Sequence, residues 1–147
     1  MSNLLTISSG ALSASINPLG AELWSLADAQ GREYMTDADP AFWSGHAPLL
    51  FPVVGSLAYD TLRVDGNAFP LARHGFARAK QFTLIEHGAS LLRFQLTDSA
   101  ETRAVYPFAF GLEMAFRLDG LTLAMEATVS NPGDGPLPFS FGLHPAF

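Results

Sequence analysis

The sequence predicts an all-β protein, an antiparallel sandwich, and three observations carry that expectation. Apolar and polar residues alternate over most of the chain. Short runs are separated by turns rich in Gly, Asn and Asp. No stretch sustains a helical period beyond two turns. Many short strands at close spacing, without long helices between them, suit two antiparallel sheets packed face to face.

The elements follow in order. Residues 5–7 and 11–16 alternate on either side of Ser8-Ser9-Gly10, which reads as a hairpin turn. Asn17-Pro18-Leu19-Gly20 leads into a strand over 21–26, and Gln30-Gly31 turns the chain into a short extended piece at 32–35. Residues 37–48 lack any period and predict irregular structure, with at most one helical turn after Asp39-Pro40. The apolar run 49–55 contains Pro52, which argues against a central ladder strand and for a buried, specially shaped segment.

Three further hairpins complete the pattern. Residues 61–64 and 68–71 surround Asp65-Gly66-Asn67, and 81–86 pairs with 90–97 across His87-Gly88-Ala89. The clearest is 109–118 with 121–129, joined by Asp119-Gly120, a dipeptide suited to positive φ. Residues 99–106 are the one helix candidate, two turns at most, stopped by Pro107. A loop over 131–136 then feeds a final apolar stretch. No repeat, low-complexity tract or linker divides the chain.

The composition narrows the function classes. The 147 residues suit a single domain, and the net charge is −6, with Lys80 the only lysine among eight basic residues. Such a surface suits neither nucleic acid nor an anionic membrane. Without cysteine there is no disulfide framework, thiolate metal site or cysteine nucleophile, and the chain fits a reducing cytoplasm. No apolar run reaches the roughly 20 residues of a membrane span, and the N-terminus lacks signal-peptide character. Charged residues are scarce at 15%, mean hydropathy is +0.20, and the sequence closes on an aromatic, apolar stretch. The expectation is therefore that 1–147 is the N-terminal part of a longer single domain. Sheet edges left open would favour association into a homodimer.

Four histidines are the obvious candidates for chemistry. His87 reads as an exposed turn residue. His74 lies in Leu71-Ala72-Arg73-His74-Gly75-Phe76-Ala77-Arg78, a loop whose arginines, histidine and glycine suit a polar ligand. His144, between apolar neighbours and before Pro145, fits either a core histidine or a general acid–base group. His46 sits in the irregular stretch and suits a pocket mouth. Trp24, Trp43, Tyr59 and Phe76 are candidates for stacking on a sugar, as well as for the core. No histidine spacing suggests a metal, and no dinucleotide, phosphate-loop or nucleophile-elbow motif occurs, so no cofactor is expected.

Six segments, in this order, resemble the aldose 1-epimerase (galactose mutarotase-like) family, in its bacterial LacX-like branch. They are Gly20-Ala21-Glu22-Leu23-Trp24-Ser25-Leu26, Asp39-Pro40-Ala41-Phe42-Trp43, Ala47-Pro48-Leu49-Leu50-Phe51-Pro52-Val53-Val54-Gly55, and His74-Gly75-Phe76-Ala77-Arg78. The last two are Thr102-Arg103-Ala104-Val105-Tyr106-Pro107-Phe108 and Phe139-Ser140-Phe141-Gly142-Leu143-His144-Pro145-Ala146-Phe147.

The resemblance implies a β-supersandwich and an isomerase that interconverts the α and β anomers of a hexose, phosphorylated or not. It implies that His144 is the acid acting on the ring oxygen and that His74 binds and polarises the sugar. His46, Arg78 and Phe76 are the accompanying substrate-binding candidates. Where the branch often carries an arginine before the Ala-Pro-x-Leu-Phe-Pro segment, Gly45-His46 stands here. The family's catalytic glutamate falls beyond Phe147, and Glu22, Glu86, Glu101, Glu113 and Glu126 do not match its position. On this reading the chain alone is a weak mutarotase or none. The alternatives are a non-catalytic carbohydrate-binding module and an inactive fragment.

Overall fold

The structure, a computed structural model, describes residues 3–147. Three strands open it: β1 (Leu5–Ser8), β2 (Leu12–Asn17) and β3 (Glu22–Asp28), paired antiparallel in the order β1-β2-β3. Leu12, Ala14 and Ile16 of β2 are buried, so the sequence alternation sets the inner face. The expected extended piece at 32–35 is reduced to one bridge, Glu33 to Ala27. The Glu33 carboxylate explains the shortfall, because it accepts from the amides of Leu26, Tyr34 and Met35 and curls the chain locally.

The irregular stretch contains the single turn expected after Asp39-Pro40, with the Phe42 and Trp43 amides donating to the Asp39 carbonyl. Strand β4 (Leu49–Leu50) then gives way to a cis Phe51–Pro52 bond. A 3₁₀ turn at Ala58–Asp60 precedes the hairpin β5 (Thr61–Val64) and β6 (Asn67–Pro70). Its loop is two residues, Asp65-Gly66, one shorter than the sequence suggests. Both residues take positive φ (48° and 80°), which matches the twist of the strands and draws Asn67 into the ladder.

A second 3₁₀ turn (Ala77–Ala79) leads to the largest sheet, ordered β10-β9-β8-β7 and antiparallel throughout. It comprises β7 (Thr83–His87), β8 (Leu91–Thr97), β9 (Gly111–Asp119) and β10 (Thr122–Ser130). His87 ends β7 rather than sitting in the turn, and it is exposed. The last hairpin turns at Gly120-Leu121, one residue later than expected, with Gly120 at φ 53°. Between β8 and β9, helix α1 is a single turn (Ala100–Arg103). Ser99 caps it, accepting from the Thr102 amide while the Thr102 hydroxyl accepts from the Ser99 amide.

The two sheets face each other. Leu92, Phe94 and Leu96 of β8 lie opposite Phe116, Met114 and Leu112 of β9, and all six are buried against Ile7, Ala14, Ile16 and Leu23. Fully burying each large side chain is worth about 1.5–3 kcal/mol before conformational entropy is counted. The outer face carries polar pairs such as Arg93, which reaches Glu113 (2.9 Å) and Glu86 (3.2 Å). Among the described residues no helix is long and apolar enough to cross a membrane.

Beside this core lies an aromatic cluster that supports the irregular segments. Phe51, Phe76, Tyr106 and Phe110 have ring centroids 5.3–6.3 Å apart, mostly edge-on or tilted. The Tyr106 hydroxyl donates to the Pro138 carbonyl (2.7 Å), and burial pushes its pKa up to about 12. That bond joins the cluster to the C-terminal stretch. Strand β11 (Gly142–Leu143) then pairs antiparallel with β4.

Candidate functional site

The β4–β11 pair sets one side of the site. Leu143 lies opposite Leu49 and Gly142 opposite Leu50, so His144 emerges where β11 ends, level with Pro48. Its ring meets the Trp43 indole edge-on at 5.1 Å. The Trp43 indole lies close over Gly45, where a Cβ would come within 2.5 Å of it. His144 is therefore neither a core histidine nor a free one: it is exposed, with one face set by an aromatic wall.

The other side is the loop 71–80. His74 adopts φ 65° and Gly75 φ 70°, two left-handed residues in succession. A non-glycine in that region costs about 1–3 kcal/mol, and reciprocal bonds hold it there. The His74 amide donates to the Gly55 carbonyl (2.9 Å), and the Gly55 amide donates to His74 Nδ1 (2.9 Å). The Phe51 amide donates to the His74 carbonyl (3.3 Å). Gly75 is required, because any Cβ there would fall on the Phe51 carbonyl. Phe76 and Ala77 then donate to that same carbonyl.

Both ring nitrogens of His74 face N–H donors, Nδ1 the Gly55 amide (2.9 Å) and Nε2 the Arg73 Nε–H (3.2 Å). A neutral His74 ring accepts at only one of them. Partial burial, then the charges of Arg73, Arg78 and His144, hold its pKa below the ordinary histidine value of 6.5. Arg78 is anchored by donating to the Arg73 carbonyl (3.1 Å). Its own carbonyl lies 2.8 Å from where a Gly20 Cβ would stand, so Gly20 packs directly on the loop.

The two sides enclose a cleft of about 390 Å³ lined by Trp43, Pro48, Leu50, Arg73, His74, Arg78 and His144. It carries two arginines, two histidines and no carboxylate, in a chain of net charge −6. Donors to oxygen therefore dominate its chemistry. Among the described residues no three His, Cys, Asp or Glu side chains gather as a metal would need.

Of the residues singled out in the sequence, His74, Arg78 and His144 line this cleft. His46 does not: it is 6% exposed and its ring stacks on Trp24 at 4.0 Å. Phe76 is buried and turns to a separate, mainly apolar hollow of about 420 Å³ with Leu71 and Val105. Trp43, a stacking candidate in the sequence, and Arg73, one of the two arginines of the 71–78 loop, line the cleft as well.

Residues 3–147 match the family model described as aldose 1-epimerase. Among curated proteins the chain is 35% identical over 142 residues to the plasmid-borne protein LacX of Lactococcus lactis subsp. lactis, covering 92% of this chain and 48% of that protein. A galactose mutarotase related enzyme from Lactobacillus acidophilus superposes with a TM-score of 0.94 at 36% identity, covering 97% of this chain and 48% of the other. A galactose mutarotase-like protein from Lactobacillus casei gives 0.94 at 35% identity, covering 97% and 49%. The chain thus spans about half the length of the relatives it matches. Its antiparallel sheets are those of the galactose mutarotase-like β-sandwich, and the chain belongs to the aldose 1-epimerase family.

Proposed function

We propose that this chain contributes the acid-bearing part of a cofactor-free mutarotase, an isomerase that exchanges the anomers of a hexose in the cleft between Trp43 and the 71–80 loop. The observation that carries the proposal is the meeting of His74 and His144 in one donor-rich cleft.

Anomer exchange requires a proton delivered to the ring oxygen and another removed from the C1 hydroxyl. The C1–O bond then opens to the aldehyde, C1 turns about C1–C2, and the reverse steps close the ring on the other face. Each positioned proton transfer contributes about 10²–10⁴-fold. His144, exposed and oriented by Trp43, is suited to donate to the ring oxygen. His74, its ring held by the Gly55 amide, is suited to bind and polarise a sugar oxygen, with Arg73 and Arg78 beside it. His46 and Phe76, placed behind the cleft, support its walls rather than touch the sugar.

No carboxylate lines the cleft, so we place the base on residues following Phe147 in a longer chain. The 147 residues alone should exchange anomers weakly or not at all. A cysteine-free chain of this class suits the cytoplasm. The exposed edge strand β10, with Glu126 its only charge, is where we place self-association.

A sugar bearing an anionic group suits this cleft better than a neutral one. Arg73 and Arg78 converge there without a carboxylate, whereas Arg103 pairs with Asp98 (2.6 Å) and Arg93 with Glu113. Anomer exchange followed by proton NMR, on freshly dissolved α-glucose, α-galactose and their 6-phosphates, tests both statements. A chain extended through the carboxylate should accelerate exchange and lose it with His144→Ala. Acceleration unchanged by His144→Ala overturns the assignment. Saturable binding without exchange in the extended chain would instead support a carbohydrate-binding module.

A further inference from the structure

A glutamate outside the cleft holds the segment that carries His144. Glu22, at the first position of β3, accepts at one carboxylate oxygen from two successive backbone amides, His46 (3.0 Å) and Ala47 (2.9 Å). The His46 carbonyl in turn accepts from the Ala146 amide (2.9 Å), and the Ala146 carbonyl accepts from Thr36 (3.0 Å). The stretch 144–146 is thereby strapped between 46 and 36, beyond the reach of the short β4–β11 ladder. The His46 ring, buried and stacked on Trp24 with Nδ1 unpartnered, makes no polar bond that holds this strap. The Glu22 carboxylate is what fixes the 46–47 backbone.

We propose that Glu22 is a positioning residue for His144: it fixes residues 46–47, and through them the strap that sets the angle of His144 against Trp43. Its single acceptor oxygen serves two amides, so an acceptor at that distance is what the geometry needs. A negative charge is not. This rests on reading His144 as the proton donor, yet the geometric claim stands apart from activity.

The test uses the full chain with histidine side chains isotopically labelled for NMR. In the wild-type protein the Trp43 ring should displace the His144 ring-proton signals from free-histidine values. Glu22→Ala should remove more than half of that displacement and raise Ala146 amide exchange at least tenfold, with Phe94 and Met114 signals unmoved. Glu22→Gln, which keeps an acceptor oxygen in place, should retain both wild-type values. Should Glu22→Ala fail to fold, Glu22→Asp withdraws the oxygen while keeping the charge and should give the same losses.

Wild-type signals in the folded Ala or Asp variant overturn the proposal, as does a Gln variant no better than Ala. In a catalytically active extended chain, Glu22→Ala should lower kcat with KM little changed, and Gln should restore it. If that chain proves inactive, the functional reading fails while the NMR result still judges the strap.

Discussion

In β8 and β9 every second side chain is buried and nearly every backbone group joins a ladder. In the loop 71–80 the side chains follow no period, two successive residues are left-handed, and one carbonyl, that of Phe51, serves both Phe76 and Ala77. The ladder spreads its stability over many similar apolar contacts, so each is replaceable in kind if not in volume. The loop depends on a few bonds with no substitutes. That difference is what holds the His74 ring in place, and a site needs such fixed geometry more than a core does.

The comparison breaks or sharpens at particular residues. The largest stability effect should come from the ladder. Phe116→Ala, at a fully buried ring against Phe94 (6.2 Å), should cost about 3–5 kcal/mol in urea unfolding. NMR signals of His74 and His144 in the folded fraction should stay where they are. If both move, the two regions are one cooperative unit and the distinction fails.

Gly75→Ala should do the reverse. Its methyl meets the Phe51 carbonyl at a left-handed position, and the expected loss is about 2–3 kcal/mol. His74 should lose the bond from the Gly55 amide to Nδ1, visible as a shift of that ring nitrogen in nitrogen NMR. A stable variant with an unchanged His74 would show that the loop is looser than its bonds imply.

The smallest effect is the pH response. The pKa of His74 is lower in the folded protein than the ordinary 6.5, so the unfolded chain binds this proton more readily. Its contribution is constant above about 6.5, is lost progressively as pH falls from there through the lower folded value, and is flat below that. His74→Asn tolerates the left-handed backbone and retains an acceptor for Gly55, so it should flatten this part of the urea midpoint against pH. An unchanged profile would mean that neither burial nor the nearby charges lower the His74 pKa in the folded chain.

The sheets were legible because alternation and turn dipeptides act between near neighbours. The shifts at Asp65-Gly66 and Gly120-Leu121 were of one residue, because turn dipeptides mark a hairpin without fixing which flanking residue joins the ladder. The piece at 32–35 was lost because Glu33 caps nearby amides, a competition that periodicity does not show. At the site, His74, Arg78 and His144 stood in recognisable motifs. His46 and Phe76 stood in motifs too, yet their side chains turn away from the cleft, into the Trp24 stack and the aromatic cluster.

The sequence by itself determined that the chain is all-β and cysteine-free, that it resembles one family, and which histidines were candidates for the site. Only the tertiary structure decided that His74 and His144 share a cleft with two arginines and no carboxylate. It alone showed the Gly55 amide against His74 Nδ1 and the Glu22 carboxylate against the amides of His46 and Ala47. The physical reason is range. Side-chain period and turn preference are local properties of the chain, while a bond such as Glu22 to His46 or Gly55 to His74 exists only after distant segments have been packed together.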